Sequence, residues 1–405
     1  MRKLEIGIAG AGPAGLAAAL FLHRAGHRVT IVERFAEPRP LGSGLILQPT
    51  GLAVLAGLGL RDEIVALGSR IERLHGADAA SGRTVLDVRY DALPGGSHGL
   101  AVHRAALFGV LHRAVQRAGI AIDTGFDVAG MEVGERCVLL AADGRRAGPF
   151  DLVIDASGAR SRLKAHARVP AEPRPLAYGA FWASLDWRDG FDPHALTQRY
   201  RRARVMIGVL PIGRVTAEGP PQAAFFWSLK PAEAEAVKAR GLAAWKDEVA
   251  GHWPEAAAFT GQIASFDDMA LARYGHHTLI YPAARGLAFI GDSAHSTSPQ
   301  LGQGANMALL DALALSRALE GAADVEAALE AYCRMRRWHV RVFQALSLAF
   351  TPFYQSDGRL LPFLRDTLVA TVARVPPAPR VLAAMVAGTV VTPLRGGLAS
   401  PRQTG

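Results

Sequence analysis

The sequence has little of what staples or metallates a small fold. Its 405 residues include two cysteines, Cys137 and Cys333, far apart and outside any CxxC spacing. That excludes a disulfide framework and a cysteine zinc site, and it fits a reducing compartment. No apolar run is long enough to cross a bilayer. The apolar stretch of the tail, "VLAAMVAGTVVTPL" (381–394), has 14 residues, where about 20 are needed. No arrangement of serine, histidine and acid argues for a hydrolytic triad, and no histidine cluster argues for a metal. A broad positive field is missing as well. The chain carries +9 overall, but residues 331–405 hold ten Arg, no Lys and two Asp, or +8, so the first 330 residues are close to neutral. Nucleic acid is therefore not an expected partner.

What the sequence does have is glycine, 43 of them, set at meaningful spacings. "LEIGIAGAGPAGLAAALFLHRAGHRVTIVER" (4–34) opens basic and apolar like a signal peptide, but its glycines serve another purpose. It predicts a strand over 4–9, a helix over 14–25 entered through Pro13 and closed by Gly26, and a second strand "RVTIV". Between strand and helix stand Gly10, Gly12 and Gly15, a GxGxxG. Gly10 permits the tight turn, Gly12 lets a pyrophosphate approach the helix N-terminus, and Gly15 lets helix and strand pack closely. Glu33 ends the second strand, where an acid accepts bonds from a ribose 2′-hydroxyl and disfavours a 2′-phosphate.

That unit alone fits NAD or FAD. Two later segments favour FAD. "FDLVIDASGARSRL" (150–163) predicts another buried strand, 152–156, running into a glycine turn. "LAFIGDSAHSTSPQLGQGAN" (287–306) predicts a third strand-to-loop site, about 280 residues after the first. A chain that binds a nucleotide at its start and returns with a bare glycine loop so much later is wrapping a long ligand.

These segments, with "GSGLILQPTGLAVLAGLGL" (42–60) and "VHRAALFGVL" (102–111), resemble the class A flavoprotein monooxygenases, the family of para-hydroxybenzoate hydroxylase and the ubiquinone-biosynthesis hydroxylases. The matching segments run in family order and cover about 1–170 and 275–345. The resemblance implies an α/β fold: a Rossmann-like FAD-binding domain of glutathione-reductase type, an inserted, mostly β substrate domain, and C-terminal helices. The expected divisions are 1–72, 97–172 and 271–341 for FAD, 73–96 and 173–270 for the substrate sheet, and 342–405 for the C-terminal helical region. It further implies that Gly10, Gly12, Pro13, Ala14, Gly15, Glu33 and Arg34 hold the adenosine and pyrophosphate, and that Arg104 meets the ribityl–pyrophosphate region. Asp292 would bind the ribityl chain and Pro299 would lie beside the isoalloxazine, with Gly302, Gly304 and Asn306 around the flavin edge. Amides at the start of the helix that follows would face an edge that is anionic in reduced flavin.

The implied activity is FAD-dependent hydroxylation of a phenolic, quinol-like or quinolone-like aromatic through a flavin C4a-hydroperoxide, with O2 as oxidant and NAD(P)H as reductant. Catalysis then needs no protein nucleophile. The family's second motif reads GADGxxS, and Ser157 stands here where its Asp is expected. Direct reduction by NAD(P)H is accordingly expected to be slow, or reduced flavin to arrive another way. An FAD-dependent reductase of a lipophilic or prenylated substrate is the alternative on the same scaffold. A halogenase is disfavoured, because its WxWxIP motif is absent.

Residues 173–270 lack dinucleotide patterns and hold strand-like runs at 177–187, 204–213 and 223–230. Tyr178, Phe181, Phe225 and Trp227 are the expected substrate-facing aromatics, and "LKPAEAEAVKARGLAAWKDEVAGHW" (229–253) is an expected helical insert. The protein is expected to be cytoplasmic. Its arginine-rich, apolar tail is expected to dock on the FAD domain or a second copy as a homodimer, or to touch a membrane peripherally.

Overall fold

The computed structural model describes residues 2–39, 42–369, 373, 375–394 and 397–398; the end of the expected C-terminal region, 399–405, lies outside the described residues. The chain builds an α/β layer and a β layer that share one cavity.

The first layer is a six-stranded sheet in the order Ala283–Ala284, Leu287–Phe289, Leu152–Asp155, Glu5–Ala9, Arg28–Glu33, Ala121–Thr124. All its pairings are parallel except the first. Parallel strands are normally buried on both faces, and Leu287–Phe289, Leu152–Asp155 and nearly all of Glu5–Ala9 are, while the edge strand Ala121–Thr124 is partly exposed. Alternation sends Ile6, Ile8, Ile31 and Ile154 toward the helices Pro13–Arg24, Arg104–Arg117 and Gly304–Gly321. It sends Ala9, Val32, Val153 and Phe289 toward an antiparallel meander, Val128–Val133, Cys137–Ala141 and Arg146–Phe150. The three segments separated in sequence thus end as neighbouring strands, and their loops emerge together at one edge.

The second layer is a seven-stranded sheet: Ala270–Ala272, Gly179–Asp186, Gln222–Leu229, Val205–Gly213, Ala195–Arg201, Arg73–Asp78, Thr84–Arg89. Only Ala195–Arg201 with Arg73–Asp78 is parallel. One face is covered by the insert helices Ala234–Ala239 and Leu242–His252 and the short Ala257–Thr260, with Trp245 and Trp253 fully buried. The other face looks into the cavity. A small sheet, Gly44–Leu47, Gly99–His103 and Ser69–Ile71, bridges the two layers.

The long helix Val325–Tyr354 and the helix Ala378–Ala387 close the molecule. The tail is tied down by buried side chains. Arg336 Nη1 donates to Pro393 O at 2.8 Å, and His339 Nε2 donates to Gly388 O at 3.0 Å. Burial, with Arg336 beside it, holds the His339 pKa down at about 3, so the ring is neutral at physiological pH. No helix among the described residues is long and apolar enough to cross a membrane.

Candidate active site

One cavity of about 1320 Å³ runs between the two layers. A single drug-sized ligand takes a pocket of about 300–1,000 Å³, so this one has room for an extended cofactor and a second molecule.

At one end lies the glycine loop. Gly10 adopts φ +104°, and a Cβ there would sit 2.7 Å from Ala156 O. A Cβ on Gly15 would sit 2.0 Å from Gly10 O. Both glycines are therefore required by packing, and Gly15 does not line the cavity. Gly12 differs. A Cβ there would meet nothing within 4 Å of the protein, and the residue opens on the cavity. It starts the helix Pro13–Arg24, whose N-terminus has no side-chain cap and no acid in its first turn. Open space at a bare helix N-terminus fits an anionic group such as a pyrophosphate. Glu33 stabilises the loop directly: its Oε2 accepts from Ala11 N at 2.7 Å and its Oε1 from Phe35 N at 3.1 Å. Pro13, Ala14, Glu33 and Arg34 line the same end.

The middle of the cavity brings together Arg104, Asp292 and the loop 297–305. Asp292 is open to the cavity but otherwise surrounded by protein. Burial raises its pKa, while Arg104 and His295 oppose that rise. The turn that carries it is clamped from below by Asp311, which is fully buried. Asp311 Oδ2 accepts from Gly291 N at 2.9 Å and from His295 Nε2 at 2.7 Å, and its Oδ1 accepts from Arg336 Nε at 2.7 Å. Burial alone would raise the Asp311 pKa, but His295 and Arg336 outweigh it and hold it at about 2. A permanent carboxylate therefore fixes the position of Asp292.

Pro299–Leu301 forms a single 3-10 turn, and Gly302 follows at φ +61°. The helix Gly304–Gly321 then begins without a side-chain cap. Pro299, Gly302 and Gly304 line the cavity. So does Gln300, whose buried Nε2 has no partner among the described residues. Asn306 does not line it. It is wholly buried, donates from Nδ2 to Ile46 O at 3.0 Å and Gly302 O at 2.9 Å, and accepts from Gln48 N at 2.8 Å. It positions the loop instead of facing a ligand. The open glycine, the uncapped helix ends, the orphan amide of Gln300, the Arg104 guanidinium and the Asp292 carboxylate form a set of donors and acceptors that fits FAD. In the second motif, Asp155 is fully buried and accepts from Ser157 N at 3.0 Å and Ser157 Oγ at 2.6 Å, and also from Ser161 Oγ.

The far end of the cavity corrects the expectation for the substrate side. Phe181, Phe225 and Trp227 point away from it, packed with Trp245, Phe259 and the insert helices. Tyr178 lies just before its strand and donates to Asp357 Oδ1 at 3.0 Å, tying the sheet to the segment after the long helix. The residues one step along face the cavity: Ala180, Trp182 and Phe226, with Gln198, Tyr200 and Met206 from neighbouring strands. The physical reason is parity. Both faces of this sheet are covered, so "FFW" is apolar throughout and no alternation marks the inner side. Trp182 and Phe226 pack against each other, tilted by 32° with ring centroids 4.6 Å apart, and Trp182 Nε1 donates to Tyr274 Oη at 2.7 Å. The tail supplies the remaining wall through Phe350, Tyr354, Leu382, Met385 and Val386. Gln303, at the start of the helix Gly304–Gly321, donates from Nε2 to Val386 O at 2.5 Å and so joins that wall to the central loop.

The model of the FAD binding domain matches residues 3–345. The 6-methylpretetramide 4-monooxygenase of Streptomyces rimosus is 29% identical over 97% of this chain and 94% of its own length. The 3-amino-4-hydroxybenzoate 2-monooxygenase of Streptomyces cremeus is 31% identical over 79% of each. Among solved structures, Klebsiella pneumoniae HpxO complexed with FAD and uric acid shares the fold at a TM-score of 0.80, with 20% identity over 96% of this chain and 97% of that one.

Proposed function

The chain belongs to the FAD binding domain family of class A flavoprotein hydroxylases, and from that membership we propose how its own residues serve hydroxylation of an aromatic substrate. The relatives described above are oxygenases, which favours hydroxylation over the reductase reading. Bound FAD supplies the redox chemistry, passing electrons to dioxygen so that one oxygen atom enters the substrate and the other leaves as water.

The protein's work is binding, orientation and exclusion of water. The Gly12 amide and the helix behind it would hold the pyrophosphate, and Glu33, which keeps their loop in shape, would face the adenosine ribose. Arg104 and Asp292 would hold the ribityl–pyrophosphate stretch, Asp292 from a turn that Asp311 clamps. Pro299 would lie against the ring. The amides around Leu301 and Gly302, and the start of the helix Gly304–Gly321, would meet the edge that becomes negative on reduction. Trp182 and Phe226 present flat apolar surface for an aromatic ring, and the tail helix shuts that end from water.

The observation that carries this reading is the continuity of the cavity, from Gly12 past Asp292 and Pro299 to Trp182 and Phe226. NAD(P)H is the natural electron source. We expect its direct reaction to be slow, because Ser157 stands where the family has an acid and donates its hydroxyl to Asp155. The test is anaerobic mixing of the purified yellow protein with NADH or NADPH, with and without an aromatic panel. Slow bleaching that one class of aromatic accelerates supports the reading. Rapid bleaching by the nucleotide alone contradicts the role given to Ser157.

A further inference from the structure

The substrate end of the cavity has a chemical composition of its own. Every one of the seven strands contributes to its wall, from Leu86 and Val88 at one edge to Ala270 and Ala272 at the other. At about 4.8 Å per strand, that face is roughly 25–30 Å wide, far more than a single phenol ring covers. Apart from Gln198, its side chains are aliphatic, aromatic or thioether, and the tail adds Leu382 and Met385. None of the lining residues from this sheet or from the tail is Arg, Lys, His, Asp or Glu. The charged residues of the cavity, Glu33, Arg34, Arg39, Arg104, Asp127, Arg160, Arg162 and Asp292, come from the FAD layer and its loops.

One polar group stands out on this face. Gln198 is 6% exposed, and its side-chain amide makes no hydrogen bond among the described residues. Nine-tenths buried and without a protein partner, it offers two donors and an acceptor to the cavity. Tyr274 stands on the same wall. Its hydroxyl accepts from Trp182, leaving its own proton for a ligand, and burial pushes its pKa up to about 12, so that proton stays on.

We infer that the substrate is an uncharged, fused aromatic compound whose carbonyl or hydroxyl edge is met by Gln198, and that compounds bearing a carboxylate on the enclosed part are rejected. This rests on the hydroxylase reading above and names the substrate class for that site. A carboxylate enclosed here loses its water and gains no cation. That desolvation is left uncompensated, so the carboxylate form should bind at least about a hundredfold more weakly. A neutral ring system loses only apolar hydration, and its one polar edge finds the Gln198 amide. Gln198 is thus the specificity-determining residue of the sheet.

The experiment titrates the FAD-loaded protein, under anaerobic conditions, with matched pairs: 1-naphthol against 1-hydroxy-2-naphthoate, and 4-quinolone against 4-quinolone-3-carboxylate. Perturbation of the flavin absorbance gives Kd for each. The expected result is binding of the neutral member at least about a hundredfold tighter in both pairs. Gln198→Leu and the closer isostere Gln198→Met should each weaken 4-quinolone about tenfold or more, while Gln198→Arg should narrow the gap for the carboxylates. Equal affinity within the pairs, tighter carboxylates, or no perturbation by either series overturns the inference. Oxygen uptake and product analysis are read separately. Neutral compounds that bind without being hydroxylated would sink the hydroxylase reading and leave the substrate class standing.

Discussion

The two ends of the cavity differ in how the chain specifies them. The cofactor end is polar and made of backbone: glycine turns, bare helix N-termini and one clamped carboxylate. The substrate end is a sheet face made of side chains, apolar on both sides. At the first end, identity at a few positions is dictated by geometry, because a Cβ at Gly15 would overlap Gly10 O at 2.0 Å. At the second end, any apolar residue of suitable volume folds, so what distinguishes one wall from the other is register alone.

The sharpest way to test that contrast is the neighbouring pair Phe225 and Phe226. Phe225 is wholly buried against the insert helices, and Phe225→Ala should cost about 3–5 kcal/mol of stability. Substrate and FAD affinity should be nearly unchanged. Phe226→Ala opens the cavity wall, so it should weaken substrate binding while costing less stability. Denaturant unfolding and flavin-perturbation titrations read both, and a reversed pattern would mean that the inner face is assigned to the wrong residues.

Next in size is Asp292→Ala at the cofactor end. Losing the carboxylate from the centre of the cavity should weaken FAD about a hundredfold, giving largely colourless protein by its visible-to-ultraviolet absorbance ratio. Full yellow colour would contradict the role of Asp292.

A smaller effect separates two glycines of one motif. Gly12→Ala adds a Cβ that meets no protein atom within 4 Å, so stability of the FAD-free protein should change by about 1 kcal/mol or less, while FAD affinity falls at least about tenfold. Gly15→Ala should do the opposite, lowering stability by about 2 kcal/mol or more through overpacking.

These cases show where sequence reasoning succeeds and where it stops. That Gly10, Gly12, Glu33, Arg104, Asp292 and the loop around Pro299 meet at one cavity is legible because their spacing relative to strand ends is a backbone requirement. The choice of Phe181, Phe225 and Trp227 over Trp182 and Phe226 fails because a sheet covered on both sides has no alternating pattern to read. The clamp of Asp311, His295 and Arg336 was also out of reach. Its members come from a loop and two helices, and nothing in their spacing marks them as partners. An acid inside an otherwise apolar helix, "MALLDALAL", is its one mark in the sequence. The tail was equally opaque: its arginine-rich, apolar pattern fits docking anywhere, and only the fold shows Leu382 and Met385 closing the substrate end.

The smallest expected effect concerns pH. Burial holds the His277 pKa down at about 4, while its ring bonds Ser296 Oγ at 2.7 Å. The unfolded chain takes up that proton near pH 6.5, so stability should fall as pH drops from about 6.5 to 4. Asp311 acts in the same sense, but at lower pH. Its folded pKa of about 2 means that its contribution is present above about pH 4 and lost only below that. Thermal unfolding of His277→Asn should therefore show a flatter profile between about pH 6.5 and 4, by about 2–4 °C in Tm, with the steep loss below pH 4 retained.

The most direct test of the whole account is oxygen stoichiometry. FAD-loaded protein, chemically reduced and mixed with oxygen and a neutral fused aromatic that perturbs its flavin spectrum, should consume dioxygen and form a hydroxylated product that carries label from 18O2. Turnover that proceeds without oxygen and yields a reduced substrate, or oxygen uptake that yields no labelled product, would contradict it.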